Sequence, residues 1–421
     1  MHCGGGRMCG VTPFGCHPEA QPKDPIGFFA PLRMTSSMSP PLPLLTKEGR
    51  VIMATKCIGI RCENKNEWER RAPLTPNDIH ALRENEGISF IIQPSPIRVF
   101  KEDEYTKAGA KISDDTSSCD ILLAIKEIPT QFIRPNTIYI FFSHTIKGQK
   151  HNMPMLKKII DSGSTLIDYE KIVDEHGKRL IFFGEHAGLA GMIDTLWAFG
   201  KRLAREGIPN HFSEIKQAYQ YGTLDAAAEA ISNVGEKIET KGFDAQLAPM
   251  VVGIAGYGNV SRGAQKVLTY LPITEIEPSE LESLFRKKRH SRKTIYKVVF
   301  HEEHTVAPTE KNSPFELHDY FTHPEKYDSI FSAYLPYLSI LVNCIYWDKR
   351  YPRLVTKKDL QELFKKHEKP RLRMIGDISC DVDGAIEFTV KTTDPENPVF
   401  VYDPFSNKAT DGVAGSGVVV L

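Results

Sequence analysis

A chain of 421 residues can hold two or three domains with sizeable cores, and 41% of it is hydrophobic. Its 53 basic residues balance 53 acidic ones, so it lacks the cationic surplus of a nucleic-acid or anionic-membrane binder. No apolar run approaches the roughly 20 residues of a membrane span.

Residues 1–52 carry Cys3, Cys9 and Cys16 among many prolines and glycines, with no periodicity and no signal-peptide core. Met53-Ala54-Thr55-Lys56 opens onto the strand-like Cys57-Ile58-Gly59-Ile60-Arg61. Translation is therefore expected to begin at Met53, with the leader a spurious or disordered tail. The eight cysteines lack zinc-like pairing, and Cys57, Cys62, Cys119, Cys344 and Cys380 are scattered among strands and loops. They read as reduced core residues of a cytoplasmic protein that binds no metal.

From Ile58 onward short apolar runs alternate with amphipathic ones of helix length. Strands are expected at 57–61, 88–92, 121–125, 138–142, 164–167 and 179–183, with helices at 76–86 and 152–162. This cadence is that of βα units on a parallel sheet. A long apolar helix over 187–206 stops at Gly207-Ile208-Pro209, and another follows over 223–237. Further strands are expected at 250–255, 273–276, 295–300, 339–344, 372–376 and 398–402. The fold class is α/β, with two Rossmann-like lobes, parallel sheets and an interlobe cleft. The first lobe takes 53–190, connecting helices 191–249, and the dinucleotide lobe 250–421 with a charged insertion over about 278–327. The chain stops within the apolar Val418-Val419-Val420-Leu421, which reads as a strand in a truncated C-terminus.

The run Val251-Val252-Gly253-Ile254-Ala255 ends in Gly256-Tyr257-Gly258-Asn259-Val260-Ser261 and then a helix-compatible stretch. A strand, a tight turn and a helix N-terminus together form a dinucleotide site, because unpaired N–H groups point outward there. Gly256 permits the turn, and Gly258 lets backbone approach a pyrophosphate. Ser261 stands where a third glycine is usual, which would set helix and strand slightly further apart. An acidic residue about twenty positions on ordinarily binds the ribose hydroxyl of NAD. Glu275 and Glu277 lie near that spacing, while Arg286-Lys287-Lys288-Arg289 offers cations for a 2′-phosphate.

In the first lobe, two apolar runs end in ionisable residues, where ligands collect in an open α/β sheet. One delivers Lys126-Glu127 and the other Ser143-His144. A lysine at a strand mouth is ordinarily solvated, and a lone histidine is ordinarily structural. At successive strand ends the two form a candidate acid–base pair, and partial desolvation would lower the lysine into the useful range.

Glu69-Arg70-Arg71-Ala72-Pro73-Leu74-Thr75-Pro76, Ile125-Lys126-Glu127, Ser143-His144 and Asp168-Tyr169-Glu170 together resemble the alanine dehydrogenase and saccharopine dehydrogenase superfamily. Within it, the likeness is to the lysine–2-oxoglutarate reductase half of bifunctional aminoadipic semialdehyde synthases. Asn343-Cys344-Ile345-Tyr346-Trp347 and Asp377-Ile378-Ser379-Cys380-Asp381 extend the likeness, which runs from Ile58 to Leu421. The resemblance implies condensation of L-lysine with 2-oxoglutarate and reduction of the imine to saccharopine, with NADPH as cofactor and NADH the alternative. It assigns Lys126 and His144 to proton transfer, the division between them left open. Arg71 and Arg179 fall to substrate carboxylates, and Glu127 and Glu170 to modulation of Lys126. Gly256, Gly258, Asn259, Val260, Ser261 and Asp377 fall to the cofactor, Asp377 near the nicotinamide. A separate downstream saccharopine-oxidising polypeptide is a possible partner. Two other readings stay open: an alanine-type amino-acid dehydrogenase, and a truncated, non-catalytic nucleotide-binding subunit.

Overall fold

The computed structural model describes residues 57–286 and 290–421. The leader, the expected start at Met53 and residues 287–289 of the basic run lie outside the described residues. Two compact units divide between Ile181 and Phe182, rather than at 190.

The first unit holds six parallel strands: β1 (Cys57–Ile60), β2 (Ser89–Ile92), β3 (Lys111–Ile112), β4 (Ile121–Leu123), β5 (Ile138–Phe141) and β6 (Thr165–Asp168). Their order is β3-β2-β1-β4-β5-β6, so the connections reverse direction between β1 and β4. Helix α1 (Pro76–Glu86) starts where Thr75 caps it and Asp78 bonds back in a capping box, with proline at the first turn. It ends at Gly87, whose φ of 63° is a left-handed stop that glycine adopts without strain. Helix α2 (Glu102–Lys107) brings Tyr105 into the core with Ile60, Ile79, Phe90 and Ile92, while α3 (Met153–Asp161) buries Met155 and Ile159. The expected strand at 179–183 is absent. Arg179 makes only an isolated antiparallel bridge with Val173, because the tight turn from Asp174 to Lys178 folds this segment back on itself instead of onto β6.

The second unit carries an eight-stranded sheet ordered β15-β14-β16-β13-β12-β7-β9-β8. Strands β7 (Met250–Ala255), β8 (Ile273–Glu275), β9 (Ile295–Phe300), β12 (Ile340–Asn343), β13 (Met374–Asp377) and β16 (Val418–Val420) run parallel. Strands β14 (Phe400–Asp403) and β15 (Lys408–Asp411) complete it antiparallel. A separate hairpin pairs β10 (Val306–Pro308) with β11 (Tyr327–Ser329). All six residues of β7 are buried, which explains its unbroken apolar run, since a central parallel strand is covered on both faces.

Helices α4 (Gly184–Arg205) and α5 (Leu224–Lys241) belong to this unit's core, where Leu196, Phe199 and Ile231 pack with Ile254 and Val342. Helix α6 (Asn259–Leu268) follows the glycine turn and lies directly against α4. A Cβ on Gly188 would stand 1.9 Å from the Val260 carbonyl oxygen, and one on Gly263 2.0 Å from that of Glu185. The helices therefore touch backbone to backbone. Two charged segments flank β9: one runs from β8 to β9, and the other leaves β9 to form the hairpin. The strand lies inside the stretch read as an insertion and pairs directly with β7.

Candidate active site

In the first unit, the carboxyl ends of β1, β4, β5 and β6 lie side by side, and each delivers ionisable residues. The direction reversal between β1 and β4 is where ligands gather in an open sheet. β1 leads to Glu63, which is 7% exposed and accepts hydrogen bonds from the backbone N–H groups of Ile125 (2.6 Å) and Lys126 (3.1 Å). Burial raises the Glu63 carboxyl despite those two bonds. Its effect is to pin the loop that carries the lysine.

Lys126 is half-buried, and burial is the main reason its amine lies below the ordinary lysine range. The Arg71 cation lowers it further, while Glu127 and Glu69 pull the other way. Glu127 turns to the next strand end, where its Oε1 lies 2.8 Å from His144 Nδ1, and its Oε2 accepts from Lys65 Nζ at 2.7 Å. Burial works to raise Glu127, but the hydrogen bonds from Lys65 and His144 outweigh it and hold the carboxyl at about 2. An ionised carboxylate only accepts, so Nδ1 of His144 carries the proton and Nε2 is left to exchange one.

His144 adopts φ 51°, a left-handed conformation unusual for a side chain of its size. Ser143 and Asp168 hold the neighbouring backbone: the buried Ser143 hydroxyl donates to Asp168, which also accepts from the Glu170 N–H at 2.9 Å. The arrangement joins Glu127 to His144, while Glu127 and Arg71 both lie close enough to perturb Lys126. Arg71 is clasped by both oxygens of Glu69 (2.7 and 2.6 Å) and remains 44% exposed. Glu170 faces Arg179 at 3.5 Å. The Arg179 guanidinium lies over the Phe142 ring at 5.5 Å, and its Nε donates to the Ile181 carbonyl. Sequence reasoning missed Glu63, Glu69 and Lys65. Glu63 was findable, because it follows a strand end as Lys126 does.

In the second unit, Gly256 has φ 94°, and a Cβ there would press on Ile345 and the Cys344 carbonyl. Gly258 is different: its φ is −74°, and a Cβ would meet nothing within 4 Å. Open space before Gly258, next to the first turn of α6, fits a dinucleotide pyrophosphate. Asn259 accepts from Arg262, Val260 lends its carbonyl to the α4 crossing, and Ser261 is buried, accepting from Gln265 at 3.0 Å. The close helix crossing is carried by Gly263 two residues later, not by the Ser261 position. Asp377, 3% exposed at the end of β13, accepts from Asn343 (2.8 Å) and Thr389 in a buried network.

Glu275 and Glu277 are displaced from the position their spacing suggested. Among the described residues β8 is the outer edge strand and pairs only with β9, while Glu275 is tied to Lys297 at 3.0 Å. β7 is flanked by β9 and β12, so His301 and Glu302 after one and Cys344 and Ile345 after the other lie beside the glycine turn. A cavity of about 300 Å³ opens there. Among the described residues, no three His, Cys, Asp or Glu side chains cluster as a metal site would need, and no helix is long and apolar enough to cross a membrane.

Residues 59–190 match the family described as alanine dehydrogenase/PNT, N-terminal domain. The chain is 40% identical over 381 residues to an alpha-aminoadipic semialdehyde synthase of Arabidopsis thaliana, covering 86% of this chain and 35% of that one. The mitochondrial alpha-aminoadipic semialdehyde synthase of Bos taurus is 36% identical over 376 residues, 86% of this chain and 40% of that one. The chain thus spans little more than a third of those proteins. A saccharopine dehydrogenase [NAD(+), L-lysine-forming] of Neurospora crassa is 28% identical, covering 83% and 78% of the two chains. Among solved structures an L-alanine dehydrogenase superposes with a TM-score of 0.50 at 16% identity, over 86% of this chain and 81% of that one, a likeness of fold.

Proposed function

We propose that the chain belongs to the alanine dehydrogenase and saccharopine dehydrogenase superfamily, and that it is a lysine–2-oxoglutarate reductase. It joins the side-chain amine of L-lysine to the ketone of 2-oxoglutarate, expels water and reduces the imine to saccharopine, a step of lysine degradation. The observation that carries this reading is the desolvated Lys126 beside the Glu127–His144 pair. Forming and dehydrating a carbinolamine requires protons to move in both directions at one carbon, and two titratable groups of different character supply that. Lys126, with its amine lowered, exchanges a proton more readily than a solvated lysine. His144, its Nδ1 fixed by Glu127, presents Nε2 as the second group. Arg71 and Arg179, both partly exposed, offer forked donors to the keto-acid carboxylates.

A nicotinamide dinucleotide, when bound, supplies the hydride. Gly256, Gly258 and the first turn of α6 would hold its pyrophosphate, with Asn259, Val260 and Ser261 as the helix start, and Asp377 stiffens the neighbouring strand ends. The resemblance favours NADPH over NADH. The setting we propose is the cytoplasm, with a separate saccharopine-oxidising polypeptide as a possible partner.

The test is steady-state oxidation of reduced dinucleotide by the purified chain with lysine and 2-oxoglutarate, saccharopine being identified as product. Turnover with pyruvate and ammonia, but not with lysine and 2-oxoglutarate, would replace the proposal by an alanine-type dehydrogenase. Dinucleotide binding without turnover on either pair would leave a nucleotide-binding subunit.

A further inference from the structure

Among the described residues the five cysteines are free thiols, and Cys57 and Cys119 face each other. Cys57 opens β1, and Cys119 lies two residues before β4, the parallel neighbour that sets Ile121 opposite Ile58. Their sulfurs stand 2.7 Å apart. A disulfide bond is about 2.05 Å long, so joining them takes a side-chain movement of less than about 1 Å. The turn that presents Cys119 is built without its thiol. The Cys119 N–H donates to the Thr116 carbonyl at 3.0 Å, and the Arg134 guanidinium donates to the carbonyls of Thr116 (2.9 Å) and Cys119 (3.0 Å).

Access separates the two thiols. Cys119 is 2% exposed, and burial, followed by the hydrogen bond with Cys57, pushes its thiol up to about 12. It therefore stays protonated near neutral pH and does not attack an oxidant first. Cys57 is partly exposed, so a small oxidant can reach it. Cys62 lies beyond the other end of β1, where its thiol donates to the Glu63 carbonyl at 3.5 Å.

We propose that Cys57 and Cys119 are an oxidation site, closed into a reversible disulfide by hydrogen peroxide. The Cys57 thiolate attacks one peroxide oxygen, the O–O bond breaks, and the departing hydroxide takes up a proton to leave as water. The Cys119 sulfur then attacks the sulfur of the resulting sulfenic acid. The S–O bond breaks, and the leaving hydroxide carries off the Cys119 proton as a second water. Two thiols are oxidised to one disulfide while one peroxide is reduced to two waters. In a reducing compartment, transient redox-sensing bonds of this kind are the usual exception to free thiols. The bond closes residues 57 to 119 into a loop holding α1, β2, α2 and β3, which includes both strands on one side of β1. It sits at the amino ends of β1 and β4, whereas Glu63 and Lys126 follow their carboxyl ends. The inference depends neither on the amino-acid substrate nor on the dinucleotide.

The experiment exposes the full chain to a few equivalents of hydrogen peroxide, alkylates the remaining thiols and maps the tryptic peptides. Cleavage after Lys56, Arg61, Lys111 and Lys126 puts the two residues in separate peptides, 57–61 and 112–126, each with a single cysteine. These should be recovered joined, lighter than their sum by two hydrogens, and should part again with dithiothreitol. Closing a loop of this length should raise the melting temperature of the oxidised chain by about 5–15 °C. Cys57→Ser and Cys119→Ser should each abolish the joined peptide and the rise, while Cys62→Ser keeps both. The wild-type peptide map decides the matter even where a variant folds poorly. Recovery of the two peptides unjoined, or a bridge from either residue to another cysteine, overturns the proposal. So does an oxidised wild type that melts no higher than its reduced form.

Discussion

Replacing Glu127 by Gln tests the acid–base arrangement where the structure is most explicit. The change keeps the size of the side chain but exchanges an acceptor-only carboxylate for an amide with its own donors. His144 Nδ1 then loses its charged acceptor at 2.8 Å, and the tautomer is no longer imposed. The Glu127 side chain is only 11% exposed, so water cannot take its place at full strength. A hydrogen bond to a charged group is worth about 1.5–3 kcal/mol, and each 1.36 kcal/mol is a factor of about ten in rate. Turnover with lysine and 2-oxoglutarate should therefore fall roughly ten- to a hundredfold, with a smaller change in KM. The assay is steady-state kinetics across pH. A kcat within about twofold of wild type, with an unaltered pH profile, would refute the claim that Glu127 orients His144.

The same carboxylate sets an acid limit on stability. Its folded value of about 2 lies below the ordinary carboxylate range, so its stabilisation is complete above about pH 4.5 and is lost as pH falls toward 2. Glu127→Gln should flatten the denaturant midpoint against pH in that interval, as chemical unfolding would show. Lys126→Met should lower turnover about a hundredfold or more while raising the melting temperature, because burial and Arg71 disfavour the charged amine; calorimetry reporting a lower one would contradict this. Gly258→Ala should leave the melting temperature nearly unchanged, since its φ is ordinary and its Cβ meets open space, yet weaken dinucleotide binding about tenfold or more. Gly188→Ala, whose Cβ runs into the Val260 carbonyl, should cost about 1–3 kcal/mol or more in an unfolding titration.

The strands at 250–255 and 295–300 could be placed to the residue because continuous apolar runs bounded by turn residues mark central strands. Helix 76–86 was equally plain, its start written in Thr75-Pro76-Asn77-Asp78. The short edge strands β3 and β15 were not legible, because two to four residues, none of them buried, carry no periodicity. Helix Lys357–Lys366 was also missed. Only Leu360 and Leu363 of it are buried, so its apolar pattern is too thin to register. At the first unit's site, Lys126 and His144 followed from a rule about strand ends, whereas the Glu127–His144 bond depends on side-chain direction, which no linear spacing encodes. Glu275, about twenty residues beyond the turn, falls on the edge strand β8 for a topological reason. The chain visits the edge strand β8 before returning to β9, so the neighbour of β7 comes more than twenty residues later than the usual count.

The glycine-to-glycine crossing of α4 and α6 bears on any attempt to re-engineer this protein. A joint formed by two bare backbones has no rotamers with which to absorb a bulkier residue, so random mutagenesis there would mostly yield misfolded clones. The wall formed after β9 is built from side chains instead, and those tolerate exchange. A library that diversifies 301–305 and 345–353 while fixing Gly188 and Gly263 would explore new cofactors on an intact frame.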